Sequence, residues 1–362
     1  MQIAAMEVHV VEADQPFAIG GELTLRPANV IVRLETDDGI EGVGTATANF
    51  GGHGIARSIA DMRPLILGKD PRFRERLWQT ILDASVVVMP PQVLASIDCA
   101  LWDLAGRQVN LPVYQMLGAY RDRLPCYAST RVYPETADYL SIIDDYAALG
   151  FRAFKLHGWG EADRDMALCR AVRRHVGAEY ALMLDAVGAY SISDALKVGR
   201  TLEELEFEWF EMPIRDQALW GYQQIAAALD IPITSGEVHT FSFQEAASYL
   251  MARAWDILRI DATISGGITG AYKAAALAEA FGTQCELHSF GYALALAANL
   301  QVAGAIRNCR YLEVPVPLDG YDLGMEGGIY IDRNAEAHLP DGPGLGLTVD
   351  WETMRQSVSA TY

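Results

Sequence analysis

The sequence predicts an α/β protein, a parallel (β/α)8-type barrel preceded by a smaller region of strands and helices. Two observations predict it. Short apolar strand candidates alternate with helical patterns from about residue 124 to about residue 316, every ~24 to 30 residues, the pitch of a barrel repeat. The second through the eighth of these candidates each end in an ionisable residue.

The N-terminal region reads first as strands. NVIVRLE (29–35) is β-rich, Asp37-Asp38-Gly39 is a turn, and a second strand restarts over 42–48. Residues 55–108 carry helical spacing, with Leu94, Ile97, Leu101 and Leu104 on one face. The barrel candidates follow at 124–129, 153–157, 180–185, 207–211, 231–237, 256–261, 284–288 and 311–314. Helical segments such as 161–175, 192–205 and 270–281 lie between them, which argues for a parallel sheet able to close. The last stretch contains Gly-Pro-Gly (342–344) and reads as a tail of turns and short elements returning to the first region.

Composition narrows the function. The 362 residues are 51% hydrophobic and 21% charged, values of a globular protein with a large core. A net charge of −19 repels nucleic acid and anionic membranes, so neither is expected as a partner. A small anionic substrate would then need local positive charge, which a bound cation supplies. The five cysteines (99, 126, 169, 285 and 309) form no CxxC pair and read as buried thiols of a cytoplasmic protein. Residues 1–11 show no signal-peptide pattern, and no apolar run is long enough to span a membrane. The GGHG run at 51–54 does not continue as GxGxxG, so no nucleotide motif is expected.

Chemistry gathers at the strand ends. They supply Lys155 and His157 (KLH), Asp185, Glu211 (WFEMP), Glu237 (ITSGE), Asp261 (LRIDA), His288 (CELHSF) and Glu313 (YLEVP). Taken singly, each has an ordinary explanation: a helix cap, a solvated rim charge or a satisfied histidine. Together they occupy one position of the repeat, the C-terminal rim where barrel active sites are built. Charges there are costly to desolvate unless paired or bound to metal. Asp185, Glu211 and Glu237 offer hard oxygens from three adjacent strands, a set suited to Mg²⁺ and not to zinc. His157 and His288 come from the second and seventh strands, on opposite sides of the mouth. Asp261 neighbours His288 and would fix its tautomer. Lys155, two residues before His157, points to the same side and could neutralise a carboxylate.

With these residues in view, the chain resembles the mandelate racemase-like branch of the enolase superfamily. The helix ASIDCALWDLAGR (95–107), continuing to LPVYQMLG (111–118), is similar to that family's N-terminal signature. The resemblance implies a modified (β/α)7β TIM-type barrel (123–316) under an α+β capping domain (1–122), the cap completed by residues 317–362. It implies Mg²⁺ on Asp185, Glu211 and Glu237, an Asp261–His288 dyad, and an eighth-strand glutamate at Glu313. It also implies a homo-oligomer, and cap loops that contact a small carboxylate substrate. Candidate contacts are Phe17, Asn49, Trp159, His239 and Phe290. The SGGITG turn (265–270) is a further candidate to cradle an anion at a helix N-terminus, although it reads first as a tight turn. Two features depart from the family. Lys155-Leu156-His157 replaces Lys-x-Lys, placing an imidazole where the second lysine usually acts. Gly42-Val-Gly-Thr replaces the Gly-Glu of many relatives.

The implied chemistry is removal of the proton α to a carboxylate, made accessible by a divalent cation and a lysine or histidine base. The expected reaction is dehydration of an acid sugar to a 2-keto-3-deoxy acid, with His157, assisted by Lys155, and His288–Asp261 acting on opposite faces. Glu313, set among other acids, is expected to be protonated and to donate to the substrate carboxylate. Racemisation or epimerisation, lactone cycloisomerisation, and a non-catalytic binding barrel are the alternatives.

Overall fold

The computed structural model describes the chain except at residues 13–16, 20–22, 26–27, 49–51, 85–88, 238–242, 291–292, 318–323 and 328; at 17–19 and 23–25 it describes the backbone. Ile3–Glu12, Ala28–Thr36 and Glu41–Ala48 form an antiparallel sheet, and Val358–Thr361 from the far end of the chain pairs with Ile3–Glu12 as its fourth strand. Alternation puts Val8, Val10, Val30, Val32 and Leu34 on the face that packs against Ile59, Leu77, Trp78, Ile97, Leu101 and Leu104. Gly42 and Gly44 allow the long helix Pro91–Val109 to lie against this sheet. A Cβ at Gly42 would stand 2.4 Å from the Ala100 carbonyl oxygen, and one at Gly44 2.1 Å from that of Ser96.

Eight parallel strands make the barrel: Arg123–Ser129, Ala153–His157, Ala181–Asp185, Trp209–Glu211, Ile233–Ser235, Ile257–Ile260, Gln284–Leu287 and Leu312–Pro315. The eighth pairs with the first, Leu312 opposite Cys126, which closes the ring. Seven helices, from Thr136–Ala148 to Ala293–Ala305, connect them. The architecture is a (β/α)7β TIM-type barrel with a separate N-terminal antiparallel-sheet domain. All five cysteines are buried and free. Among the described residues, no helix is long and apolar enough to cross a membrane.

Several strands are shorter than the apolar pattern suggests. The fifth stops at Ser235, and Gly236, at φ 126°, swings Glu237 out of the ladder. Asp261 and His288 stand one residue beyond their strands. There the Asp261 carbonyl accepts from Ser265 N at 2.6 Å, so a turn has already begun. The tail also departs from expectation. It does return to the first sheet, but Glu336–His338 pairs with the start of the first barrel strand, so the tail binds both regions.

Buried aspartates of the 95–107 helix join the two regions. The Asp98 carboxylate accepts from the Thr269 N–H at 2.8 Å and the Thr269 hydroxyl at 2.7 Å, at the start of barrel helix Gly267–Ala280. The N-terminus considered as an anion cradle is therefore filled by the protein's own carboxylate. Asp103 accepts from Val43 N and Leu345 N, both at 2.8 Å, and so ties the first sheet to the tail. Burial pushes Asp98 up to about 7 against an ordinary 3.8, the Thr269 hydrogen bonds pulling the other way. The folded state then holds the proton more tightly than the unfolded chain. Stability is greatest below the unfolded pKa and declines as pH rises toward the folded one, by up to about 4 kcal/mol. Asp98→Asn should fold and lose that decline, seen as denaturation midpoints that differ less between pH 5 and pH 8. An undiminished decline would refute the assignment.

Candidate active site

The strand ends converge as the register dictates: His157, Asp185 and Glu211 lie side by side on the second, third and fourth strands. Lys155, fully buried, reaches three carboxylates at once. Its Nζ lies 2.7 Å from Glu313 Oε1, 2.8 Å from Glu211 Oε1 and 3.4 Å from Asp185 Oδ2. Burial and nearby Arg259 act to lower its pKa, and the three carboxylates outweigh them and raise it. The His157 imidazole reaches the same Asp185 oxygen, Nε2 at 3.1 Å, while its Nδ1 is buried with no partner among the described residues. Burial acts to raise the Asp185 pKa; Lys155, His157 and the Val187 N–H hold it well below the usual carboxylate range.

Sequence reasoning missed Arg259. On the sixth strand, two residues before Asp261, it is wholly buried. Its Nε lies 2.7 Å from Glu211 Oε1, and its Nη2 donates to Tyr127 OH at 2.8 Å and to Glu313 Oε2. Glu313 therefore corrects an expectation. Its direct partners are two cations and the Ser289 N–H at 2.9 Å, not other acids. Burial acts to raise its pKa, but Lys155, Arg259 and His288 hold it well below the usual carboxylate range.

Asp261 and His288 are in direct contact. His288 Nδ1 lies 2.8 Å from Asp261 Oδ2, while Asp261 Oδ1 accepts from Thr263 N, the Thr263 hydroxyl and Asn299 Nδ2 at 2.7, 2.8 and 2.9 Å. Burial acts to lower the His288 pKa, and Asp261 and Glu313 more than reverse it, favouring the imidazolium. Asn299, from helix Ala293–Ala305, carried no sequence signal of this role.

Glu237 supplies the strongest indication that the site takes a cation. Its Oε2 is buried with no hydrogen-bond partner among the described residues. Burial, with Glu211 and Asp216 nearby, pushes its pKa up to about 8. Burial likewise raises Glu211, against the pull of Arg259 and Lys155. Six buried acids (Asp185, Glu211, Asp216, Glu237, Asp261 and Glu313) outnumber the buried cations Lys155 and Arg259, so the site is short of positive charge. Among the described residues, no three Asp, Glu, His or Cys side chains close into a finished metal cage, and the Lys155 ammonium sits between Asp185 and Glu211. An unpartnered hard oxygen and a positive-charge deficit nonetheless fit a hard divalent cation.

The proposed substrate contacts fare unevenly. Trp159 is spent on packing: its indole N–H donates to the Tyr133 carbonyl at 2.7 Å and its ring stacks under Arg164. The buried Asp165 accepts from Trp159 N, Gly160 N and the Tyr190 hydroxyl at 2.8, 3.0 and 2.6 Å, which fixes the turn directly after His157. Phe290 lies where the seventh-strand loop meets the cap, its carbonyl accepting from the Thr47 hydroxyl at 3.3 Å. Phe17 begins a short strand, Phe17–Ile19, paired with Leu23–Leu25, of which the backbone alone is described. Asn49 and His239 lie outside the described residues.

Comparison with known proteins places this arrangement. Residues 2–118 match the mandelate racemase / muconate lactonizing enzyme N-terminal domain, and 139–353 the enolase C-terminal domain-like family. L-talarate/galactarate dehydratase of Salmonella typhimurium is 30% identical over 337 residues, 91% of this chain and 82% of that protein. D-galactarolactone cycloisomerase of Agrobacterium fabrum is 28% identical over 98% of both chains. Among solved structures, D-glucarate dehydratase of Agrobacterium tumefaciens, complexed with magnesium, superposes with a TM-score of 0.88 at 32% identity, over 99% of this chain and 100% of that one. These three relatives are two acid-sugar dehydratases and a cycloisomerase. With both family domains matched in order along one closed barrel and its cap, this chain belongs to the mandelate racemase/muconate lactonizing enzyme family of the enolase superfamily.

Proposed function

We propose that this protein is a magnesium-dependent dehydratase that removes the proton α to the carboxylate of an acid sugar and expels the β-hydroxyl, giving a 2-keto-3-deoxy acid. The observation that carries the proposal is the pairing of two imidazoles, His157 and the Asp261-bound His288, from the second and seventh strands on either side of the carboxylate group Asp185, Glu211 and Glu237. Asp185, Glu211 and Glu237 would hold a magnesium ion, whose charge offsets the negative charge that develops on the substrate carboxylate.

The chain's own residues do the rest. His157, with an unpartnered Nδ1 and its other nitrogen on Asp185, accepts the α-proton. The C–H electron pair moves into the carboxylate, then forms the Cα–Cβ double bond as the β-hydroxyl departs. His288 is suited to protonate that hydroxyl. Asp261 takes its Nδ1–H and favours the imidazolium, leaving Nε2–H as the donor. Water leaves, and the resulting enol tautomerises to the keto acid. Lys155 favours the ionised forms of Asp185 and Glu211 and holds them in place.

Incubation with a panel of aldonic and aldaric acids in D₂O, with and without EDTA, tests this reading. The expected result is a deuterated 2-keto-3-deoxy acid whose formation stops on thorough metal removal. Deuterium exchange without keto product would assign a racemase or epimerase, and consumption of a lactone without dehydration a cycloisomerase. Exchange that survives metal removal would refute the magnesium requirement.

A further inference from the structure

The backbone at His157 is clamped from several sides. Its N–H donates to the Thr130 hydroxyl at 3.3 Å, and its carbonyl accepts from the Tyr139 hydroxyl at 2.6 Å. The strand ladder is running out at this point, with Gly158 N reaching the Asp185 carbonyl at 3.4 Å. Beyond it the chain turns over Asp165, from the first turn of helix Ala162–Val176. This carboxylate is fully buried, and its bonds go to the N–H groups of Trp159 and Gly160 and to the Tyr190 hydroxyl, not to a cation. Gly158 makes room for it, since a Cβ there would stand 2.6 Å from Asp165 Cγ. Tyr190 belongs to the turn after the third strand, and its own N–H donates to the Pro213 carbonyl beyond the fourth. Asp165 therefore ties the turn after His157 to the turn after Asp185, on strands that pair with each other.

We propose that Asp165 is a positioning residue that sets the distance from the His157 imidazole to the α-carbon of the substrate. The need for it follows from the residue it serves. Lysine, usual at this place in the family, reaches on a long flexible stem and can recover a displaced backbone by changing its own conformation. An imidazole is short and rigid, so the ring moves wherever the backbone moves. A misplacement of about 1 Å at a reacting group costs on the order of 100-fold in rate. Burying a carboxylate with no cation beside it is costly, and a turn held that firmly is what the cost secures. This inference rests on the dehydratase reading above, in which His157 accepts the α-proton.

The test is the kinetics of Asp165→Asn on the acid sugar that the unaltered enzyme turns over, with hydrogen or deuterium at the α-carbon. Asparagine keeps the bulk but sets an amide N–H₂ against a bond donor, so the turn loosens. In the variant, checked as folded by thermal denaturation, kcat should fall roughly 10- to 100-fold while KM stays within a few-fold. The deuterium effect on kcat should be at least as large as in the unaltered enzyme, because C–H cleavage is the step that slows. In a His157→Lys background the same substitution should cost only a few-fold, since the longer side chain recovers its reach. A merely structural role would cost both backgrounds alike. An unchanged kcat, a loss carried by KM, a diminished deuterium effect, or equal losses in two active backgrounds overturns the inference. If His157→Lys is inactive, the pattern of kcat, KM and deuterium effect decides alone. If Asp165→Asn does not fold, Tyr190→Phe, which removes one bond to Asp165, takes its place and should show a smaller loss of the same pattern. An unaltered enzyme that neither turns over nor exchanges any acid sugar sinks the function reading itself; an active enzyme indifferent to Asp165→Asn sinks this inference alone.

Discussion

Replacement of His288 by asparagine should lower keto-acid formation by about 10²- to 10⁴-fold, the usual worth of a positioned proton donor. The asparagine amide can still donate to Asp261, so the loss would report missing proton transfer and not a collapsed turn. The other face retains His157, and α-proton exchange into D₂O should survive in part. In the unaltered protein the donor must be protonated, and its bond to Asp261, with Glu313 nearby, raises its pKa. The dehydration rate should therefore fall as pH climbs past that raised value, while the variant loses this alkaline limb. Wild-type rates of dehydration in His288→Asn would remove the residue from the mechanism.

Lys155→Met should be the most destabilising single change at the site, by about 3 to 5 kcal/mol, because it strands buried carboxylates without their cation. Three acids lose a partner at once, and Arg259 is left to offset Glu211 and Glu313 alone. A lowered urea midpoint at pH 7 together with lost activity is the expected outcome. A midpoint equal to that of the unaltered protein would mean that the ammonium is not the counter-ion the distances imply.

The features legible in the sequence share one cause. Residues that end neighbouring parallel strands must become spatial neighbours, so His157 beside Asp185, and Asp261 beside His288, follow from counting repeats. Arg259 escaped although Lys155, at the same depth on the second strand, is legible. The signal was present: Arg-x-Asp on the sixth strand repeats the spacing of Lys-x-His on the second. The low pKa of Glu313 comes from Lys155 first and then from Arg259 and His288, cations whose approach its place in the repeat does not show. Trp159 shows a different limit. A tryptophan past a strand end reads the same whether its indole faces a ligand or, as here, a backbone carbonyl. Asp98 was visible as part of a family-like helix, but its partner Thr269 lies 171 residues away, and sequence spacing carries no such pairing.

That last contact has a consequence for how such a protein can change. The turn that steadies Asp261 through Thr263 and Ser265 runs straight into the segment that Asp98 anchors. Cap and barrel rim are therefore not interchangeable modules. A cap borrowed from elsewhere would have to bring an equivalent acid to the same spot, or Asp261 on the far side of the junction would drift out of register.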